Sequence, residues 1–307
     1  MLVPTGSTVA FGPAWAVLCG ACAAASSLWQ EAKVSSASPS ARALLQASRH
    51  GLVAVVLALF IAEVLWSTWR ARVVEAGWAG LCSRGPLPPT TDPALVLPFT
   101  TPWSPLGRLQ RSWSHARSWL RQAVPAEAAG ALPTLAILPP LILILSAFAG
   151  QGMALLSLAA ICLALIEWRV ARRASPHTAM QAALQIGLSW LAGHSAFRQV
   201  TMSSFILACC YAISYQGTLS LDAETTPPGA RRRSWSLSLL FGGQVAALVL
   251  LVLLGHPVVA ALVSMLLAPQ MLLVSRLGQG EPNAWFLQRA LPFLMAAMPI
   301  VAWAAQA

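Results

Sequence analysis

Charged side chains that stand between apolar segments are the residues of this sequence best suited to chemistry. Asp222 and Glu224 lie in the segment 221–235, and three arginines follow them in the same segment, namely Arg231, Arg232 and Arg233. Carboxylates in such a place can hold a hard cation such as Mg²⁺, and arginines can hold a diphosphate or an anionic headgroup. The segment therefore predicts a binding site for a charged group.

A second group of charges lies on and just after an earlier apolar run. Glu63 falls inside that run, and Arg70 and Arg72 follow it. An ionisable side chain is costly inside a membrane, so a functional role is the first hypothesis for Glu63. A local pair with Arg70, or snorkelling to the interface, is the structural alternative. We place these three residues with the first group at the cytoplasmic mouth of a candidate ligand site.

His194 and Arg198 are secondary candidates for ligand binding. They end another apolar run, and Gly193 and Ser195 flank the histidine. Small neighbours of this kind are typical of close helix packing, where an interhelical hydrogen bond from a histidine is ordinary. The histidine therefore has a structural interpretation as well as a functional one.

The elements that position these residues are apolar runs. The chain is 57% hydrophobic and 9% charged, against about 25% charged in soluble proteins. Each run approaches the roughly 20 residues that cross a bilayer. The nine runs are about 9–28, 50–69, 131–149, 152–168, 180–197, 200–219, 235–255, 257–275 and 286–305. The sequence predicts an all-α polytopic membrane protein, a single transmembrane domain over 1–307 with about nine transmembrane helices.

The arginines set the expected orientation. Fifteen of the 19 basic residues fall in connections, or near the ends of runs, on one side of the predicted membrane. By the positive-inside rule, the amino terminus is cytoplasmic and the carboxyl terminus lies outside. We expect a bacterial inner (cytoplasmic) membrane. The net charge of +10 does not predict nucleic-acid binding, because these arginines are better explained by orientation and by contact with anionic headgroups.

One connection, residues 70–130, is far longer than the others and is predicted to be cytoplasmic. Its segment at about 106–124 has Trp and Leu on one helical face and arginines on the other. This pattern predicts an amphipathic helix that lies in the headgroup region. Packing of the same helix over the cytoplasmic ends of the spans is the alternative.

The layout resembles the UbiA-type intramembrane prenyltransferases. These proteins have about 300 residues, nine spans, a cytoplasmic amino terminus, and active-site loops after the second and sixth spans. Their second loop typically reads D-x-E-x-D-x-x-x-G before basic residues. Asp222 and Glu224 match its start, whereas Thr226 replaces the second aspartate and Gly229 falls one position early. The resemblance implies a UbiA-like bundle with an apolar cavity between its helices.

The first active-site loop departs from that family. The family carries N-D-x-x-D-x-x-x-D there, but residues 62–75 contain no aspartate and include Arg70 and Arg72. Diphosphate transfer needs Mg²⁺ held by several carboxylates, and each arginine adds like charge near the metal position. We therefore expect no metal site, no Mg²⁺ cofactor and no ordinary prenyl transfer.

Three hypotheses for the function follow. The first is a degenerate UbiA-like protein that binds an isoprenoid, a quinone or a membrane lipid; any residual activity would be that of a prenyltransferase-like transferase. The second is a non-catalytic structural subunit of a respiratory or photosynthetic membrane complex, which would make other membrane subunits its partners. The third is a small-solute transporter, for which Pro139-Pro140 is the candidate helix break.

Overall fold

The computed structural model describes residues 12–34, 51–75, 132–171, 178–223, 230–279 and 281–305, and all regular structure in these ranges is helical. We number the helices in chain order. They are α1 (Pro13–Val34), α2 (51–75), α3 (Leu132–Ala149), α4 (Gln151–Ala171), α5 (178–195), α6 (Met202–Asp222), α7 (Ala230–Leu253), α8 (Pro257–Gly278) and α9 (Asn283–Ala304).

Within the described ranges, six helices are long and apolar enough to cross a bilayer. They are Gly51–Val73, Gln151–Val170, Met202–Asp222, Arg233–Leu253, Pro257–Gly278 and Asn283–Ala304. Two shorter apolar stretches lie on α1 and α3, at Pro13–Ser26 and Thr134–Ala149. The chain thus has the helices of an integral membrane protein, while nine crossings stay a prediction.

Short turns join several of the helices. Gly150 alone separates α3 from α4, and its φ of +127° is a conformation that side chains with a Cβ rarely adopt. Ser146 and Ser157 then meet across this hairpin with their hydroxyl oxygens 2.6 Å apart.

Two helices have recognisable starts. The α6 helix begins after Thr201, whose hydroxyl accepts a hydrogen bond from the Ser204 N–H. The α8 helix begins at Pro257, where a missing N–H costs nothing.

Two groups of buried side chains organise the bundle. One lies among α2, α3 and α4 and includes Trp66 and Ile142. The other lies among α6, α7, α8 and α9 and includes Tyr211 and Phe286. Helices α1 and α5 contribute residues to both groups, so this pair lies between the two halves of the bundle.

Two expectations about elements can be compared with this fold. The predicted amphipathic helix at about 106–124, and most of the long connection that contains it, lie outside the described residues. Pro139-Pro140 does not break α3, which runs as one helix from Leu132 to Ala149. The predicted helix break at this position, on which the transporter hypothesis depended, is therefore wrong.

Candidate functional site

Two π-helical segments position polar side chains between the helices. One, Phe60–Trp66 in α2, contains Glu63. The other, Ala183–Leu188 in α5, contains Gln185. Each ends at a serine whose hydroxyl donates to the carbonyl five residues earlier, Ser67 to Ala62 at 3.4 Å and Ser189 to Leu184 at 3.2 Å. Such wide turns occur frequently at functional sites, because they redirect side chains without ending the helix.

An ion pair links the end of α2 to α4. The Arg70 guanidinium donates to both carboxylate oxygens of Glu167, from Nε at 2.8 Å and from Nη2 at 2.6 Å. Nη2 also donates to the amide oxygen of Gln181 on α5 at 3.1 Å. The Glu167 side chain is 5% exposed and that of Arg70 is 20% exposed, so this fork-shaped pair is held largely away from water.

The hydrogen bonds continue from α5 to α6. The Gln181 amide donates to the Gln185 oxygen at 3.4 Å, and the Tyr215 hydroxyl donates to the same oxygen at 3.0 Å. The charges of Arg70, Glu63 and Asp222 all act on the Tyr215 hydroxyl. We call the combined set the polar cluster. It comprises Glu63, Arg70, Glu167, Gln181, Gln185, Tyr215 and Asp222.

The polar cluster is accessible enough to receive a ligand's polar group. Gln181 and Gln185 are half-buried, and Asp222 is exposed at the end of α6. Among the described residues, no acceptor is bound to the Nη1 donors of Arg70. The cluster therefore combines free donors, amide and carboxylate acceptors and a phenol, beside helices that are otherwise apolar. Such a site can bind a carbonyl, hydroxyl or anionic head while a hydrocarbon tail lies against the helices.

Glu63 has a different partner from the one expected for a local pair. Its carboxylate Oε2 accepts the backbone N–H of Ala14 at 2.9 Å, in the first turn of α1. Arg70 pairs with Glu167 instead. The first N–H groups of a helix have no partner inside the helix and carry partial positive charge, which explains a carboxylate at this point. The interpretation of Glu63 as the local partner of Arg70 was therefore wrong.

The three arginines of the predicted mouth whose side chains the structure describes, Arg70, Arg72 and Arg233, have different surroundings. Arg72 is exposed on α2. Asp222, the aspartate of the predicted mouth, lies near enough for its charge to influence Tyr215. Arg233 contacts α8, where its Nη1 donates to the Leu277 carbonyl at 3.3 Å. The remaining three side chains of the predicted mouth, Glu224, Arg231 and Arg232, lie outside the described part of the structure.

His194 and Arg198 lie away from the polar cluster. His194 follows Gln185, the nearest cluster residue on α5, by nine residues, which corresponds to about 14 Å along a helix, and Arg198 lies beyond the end of α5. His194 is fully buried, and neither ring nitrogen finds a hydrogen-bond partner among the described residues. Within the described ranges, this side chain therefore makes no interhelical hydrogen bond, and no hydrogen bond joins it to the polar cluster.

The residues of the polar cluster do not fit a magnesium clamp. Two of its carboxylates already have partners, Glu63 the Ala14 N–H and Glu167 the Arg70 guanidinium. In the described ranges, no three His, Cys, Asp or Glu side chains are grouped so that they could hold a metal ion. The donors that remain, Arg70 among them, favour an organic head or an anion over a cation.

No protein-family model, no curated protein and no solved structure matches the chain. The resemblance to the UbiA-type prenyltransferases thus rests on the layout of the apolar runs and on Asp222 and Glu224.

Four members of the polar cluster were not among the predicted site residues. Glu167 and the uncharged residues Gln181, Gln185 and Tyr215 carried no prediction. The spacing of the two glutamines, four residues apart inside an apolar run, places them on one face of a helix and could have indicated a polar seam. Tyr215, one of only two tyrosines in the chain, offered no such pattern.

Proposed function

We propose that the chain is a membrane protein that binds an isoprenoid, a quinone or a similar lipid, with the head of the ligand at the polar cluster. One observation carries this proposal. Side chains from α2, α4, α5 and α6 meet there in a single hydrogen-bonded and charged group, although the helices around them are apolar. Buried polar groups in membrane helices are costly, so their convergence at one place favours a binding role.

The residues favour binding over prenyl transfer. Arg70 stands where the UbiA-type family has its first aspartates, and it is fixed in place by Glu167. The proposed protein is a degenerate relative of that family, with a cytoplasmic amino terminus in a bacterial inner membrane. No observation favours the alternative of a structural subunit over this proposal. The exposed apolar face of α8 fits contact with lipid as well as contact with a partner protein.

The test is binding of two probes to the purified chain in detergent, measured by quenching of tryptophan fluorescence. The probes are decylubiquinone and farnesol. Tyr215→Phe removes one hydroxyl from the polar cluster and should weaken binding about fivefold, the value of one hydrogen bond. Tyr211→Phe makes the same change one turn earlier, where the ring stacks on Trp190, and should leave the affinity unchanged.

Two outcomes would overturn the proposal. One is that neither probe binds and that no isoprenoid or quinone is found by mass spectrometry in the purified protein. The other is that both tyrosine variants bind like the original chain. Incubation with farnesyl diphosphate, Mg²⁺ and aromatic acceptors tests the absence of transfer; turnover that disappears in Asp222→Ala would restore the enzyme.

A further inference from the structure

A groove of about 680 Å³ opens between α7 and α8 at the surface of the bundle. One end is polar and contains Arg233 and Ser234. The rest is apolar and is lined by Leu237 and Phe241 from α7 and by Met271 and Val274 from α8. No residue of the polar cluster lines this groove, so it is a separate feature of the molecule.

The groove has the length of a lipid's head and the upper part of its tail. Arg233 and Phe241 are eight residues apart on α7, which is about 12 Å along the helix axis. Half of the hydrocarbon layer is about 15 Å thick. Arg233 lies at the start of the candidate span Arg233–Leu253, so the polar end of the groove is at the interface. The apolar end then points toward the middle of the bilayer.

Polar contacts join the two helices at both ends of the groove. At the interfacial end, Arg233 Nη1 donates to the Leu277 carbonyl at 3.3 Å. Just beyond the deep end, the side-chain amides of Gln244 and Gln270 exchange two hydrogen bonds, each of 3.0 Å. Because α7 and α8 are fixed at these two levels, the space between them is a lasting part of the fold.

The polar end is suited to an anion. The Nε of Arg233 is buried and has no hydrogen-bond partner among the described residues, in which no carboxylate forms an ion pair with this arginine either. The Ser238 hydroxyl donates to the Ser234 carbonyl, so it keeps only acceptor capacity. The side-chain donors that line this end of the groove are therefore the guanidinium of Arg233 and the hydroxyl of Ser234. Arginine guanidinium groups bind phosphate oxygens well, and a buried unpartnered N–H is costly.

We propose that this groove is a binding site for an anionic glycerophospholipid. Its phosphate lies at Arg233 and Ser234, and one acyl chain follows Leu237, Phe241, Met271 and Val274. A zwitterionic phospholipid offers the same chain and phosphate, but its own cation offsets the charge that Arg233 would neutralise. The site thus selects lipids by net negative charge, and it is independent of the ligand proposed for the polar cluster.

The experiment is native mass spectrometry of the full-length, delipidated protein. It is titrated with phosphatidylglycerol or with phosphatidylcholine of the same acyl composition. Phosphatidylglycerol should bind about fivefold more tightly, and Arg233→Gln should remove this preference, because one arginine near a membrane surface contributes about that factor. Arg276→Gln is the matched control: Arg276 is exposed in the last turn of the same α8 and does not line the groove.

A second variant tests the apolar part. Ser238 is exposed and lines the groove, so Ser238→Phe should fill it without altering the core, and both lipids should bind more weakly. Tyr215→Phe should change neither, which separates this site from the polar cluster. Equal binding of the two lipids to the original chain would overturn the proposal. So would an equal loss of phosphatidylglycerol in Arg233→Gln and Arg276→Gln, since the attraction would then be diffuse.

Discussion

Arg70 and Glu167 show how two charges can be kept inside a bundle of apolar helices. Each would be costly alone, but the forked contact satisfies both carboxylate oxygens and two of the guanidinium nitrogens. Gln181 adds a third acceptor and joins the pair to α5. The pair therefore fixes the geometry of three helices around the polar cluster, whichever ligand the cluster binds.

We expect Glu167→Leu to lower the free energy of unfolding by about 2 kcal/mol. Removal of one partner leaves a largely buried charge, and the partial exposure of Arg70 keeps the loss below that of a fully buried pair. The double variant Arg70→Met/Glu167→Leu should recover most of the loss. Denaturation in mixed micelles measures both, with Arg72→Met on the exposed side of α2 as a control. Additive losses in the double variant would contradict the ion pair.

Charged residues were the most predictable part of the site. Glu63, Arg70 and Asp222 are conspicuous in a sequence of apolar runs, and in the structure all three lie near enough for their charges to influence Tyr215. Their partners were less predictable. Glu63 binds a backbone N–H of another helix and Arg70 binds Glu167, and both contacts depend on how α1 and α4 are rotated about their axes. The rotation of a helix about its axis cannot be predicted from the sequence when the helix is apolar on most sides.

At the level of elements, α6 and α7 pack closely because glycine lies at their contact. A Cβ at Gly243 would overlap the carbonyl oxygen of Cys210 and the backbone of Ser214, whereas a Cβ at Gly242 would meet nothing. We expect Gly243→Ala to destabilise the protein by about 2 kcal/mol, because the backbones would have to separate.

Gly242→Ala is the matched control for that prediction. It should be neutral or slightly stabilising, since alanine is the better helix former at an exposed position. Thermal unfolding of both variants in the same detergent gives the comparison. Equal melting temperatures for the two would contradict the close contact of α6 with α7.

The amphipathic segment at about 106–124 gives a second prediction for an element. With arginines on one face, this helix should lie along the membrane surface, because an arginine at the centre of a span is costly. Spin labels at positions 109 and 113 should be accessible to oxygen in lipid, and labels at 108 and 111 to a water-soluble relaxant. The reverse pattern would exclude the surface orientation.

Helix positions could be predicted better than the irregularities inside the helices. Each of the nine apolar runs overlaps a described helix. Length and hydropathy are sufficient to predict such helices from the sequence. No sequence pattern predicted the π-helical segments at Phe60–Trp66 and Ala183–Leu188. Pro139-Pro140 was the candidate helix break in α3, yet the helix continues through both prolines. Neighbouring helices and serines satisfy backbone groups that a proline frees in a membrane helix, and this depends on packing.

For the whole molecule, the arrangement of helices follows from packing that the sequence conceals. The two groups of buried side chains share α1 and α5, so the halves of the bundle meet at this pair. In a soluble protein an apolar stripe would have indicated which faces are buried. In membrane helices the lipid-facing side is equally apolar, so the number of helices is readable but their neighbours are not.

The number of crossings is the prediction that tests the whole architecture. Only six described helices meet the length and hydropathy of a span, but α3 is joined to one of them, α4, by the single residue Gly150. Its 18 residues extend about 27 Å back along α4, close to the thickness of the hydrocarbon layer. The hairpin supports a crossing by α3, and the continuous α1 and α5 are comparable in length.

Reporter fusions can separate nine crossings from six. Nine crossings put residues 90, 175 and 228 in the cytoplasm and residues 150, 199 and 307 outside, as the distribution of arginines also requires. If α1, α3 and α5 do not cross, residue 150 must share the side of residue 90, and residue 199 the side of residue 175. Fusions at 90 and 228 alone do not discriminate, because they share a side under both counts. Opposite reporter activities for the pairs 90/150 and 175/199 would therefore establish that α3 and α5 cross, and equal activities would show that neither helix does.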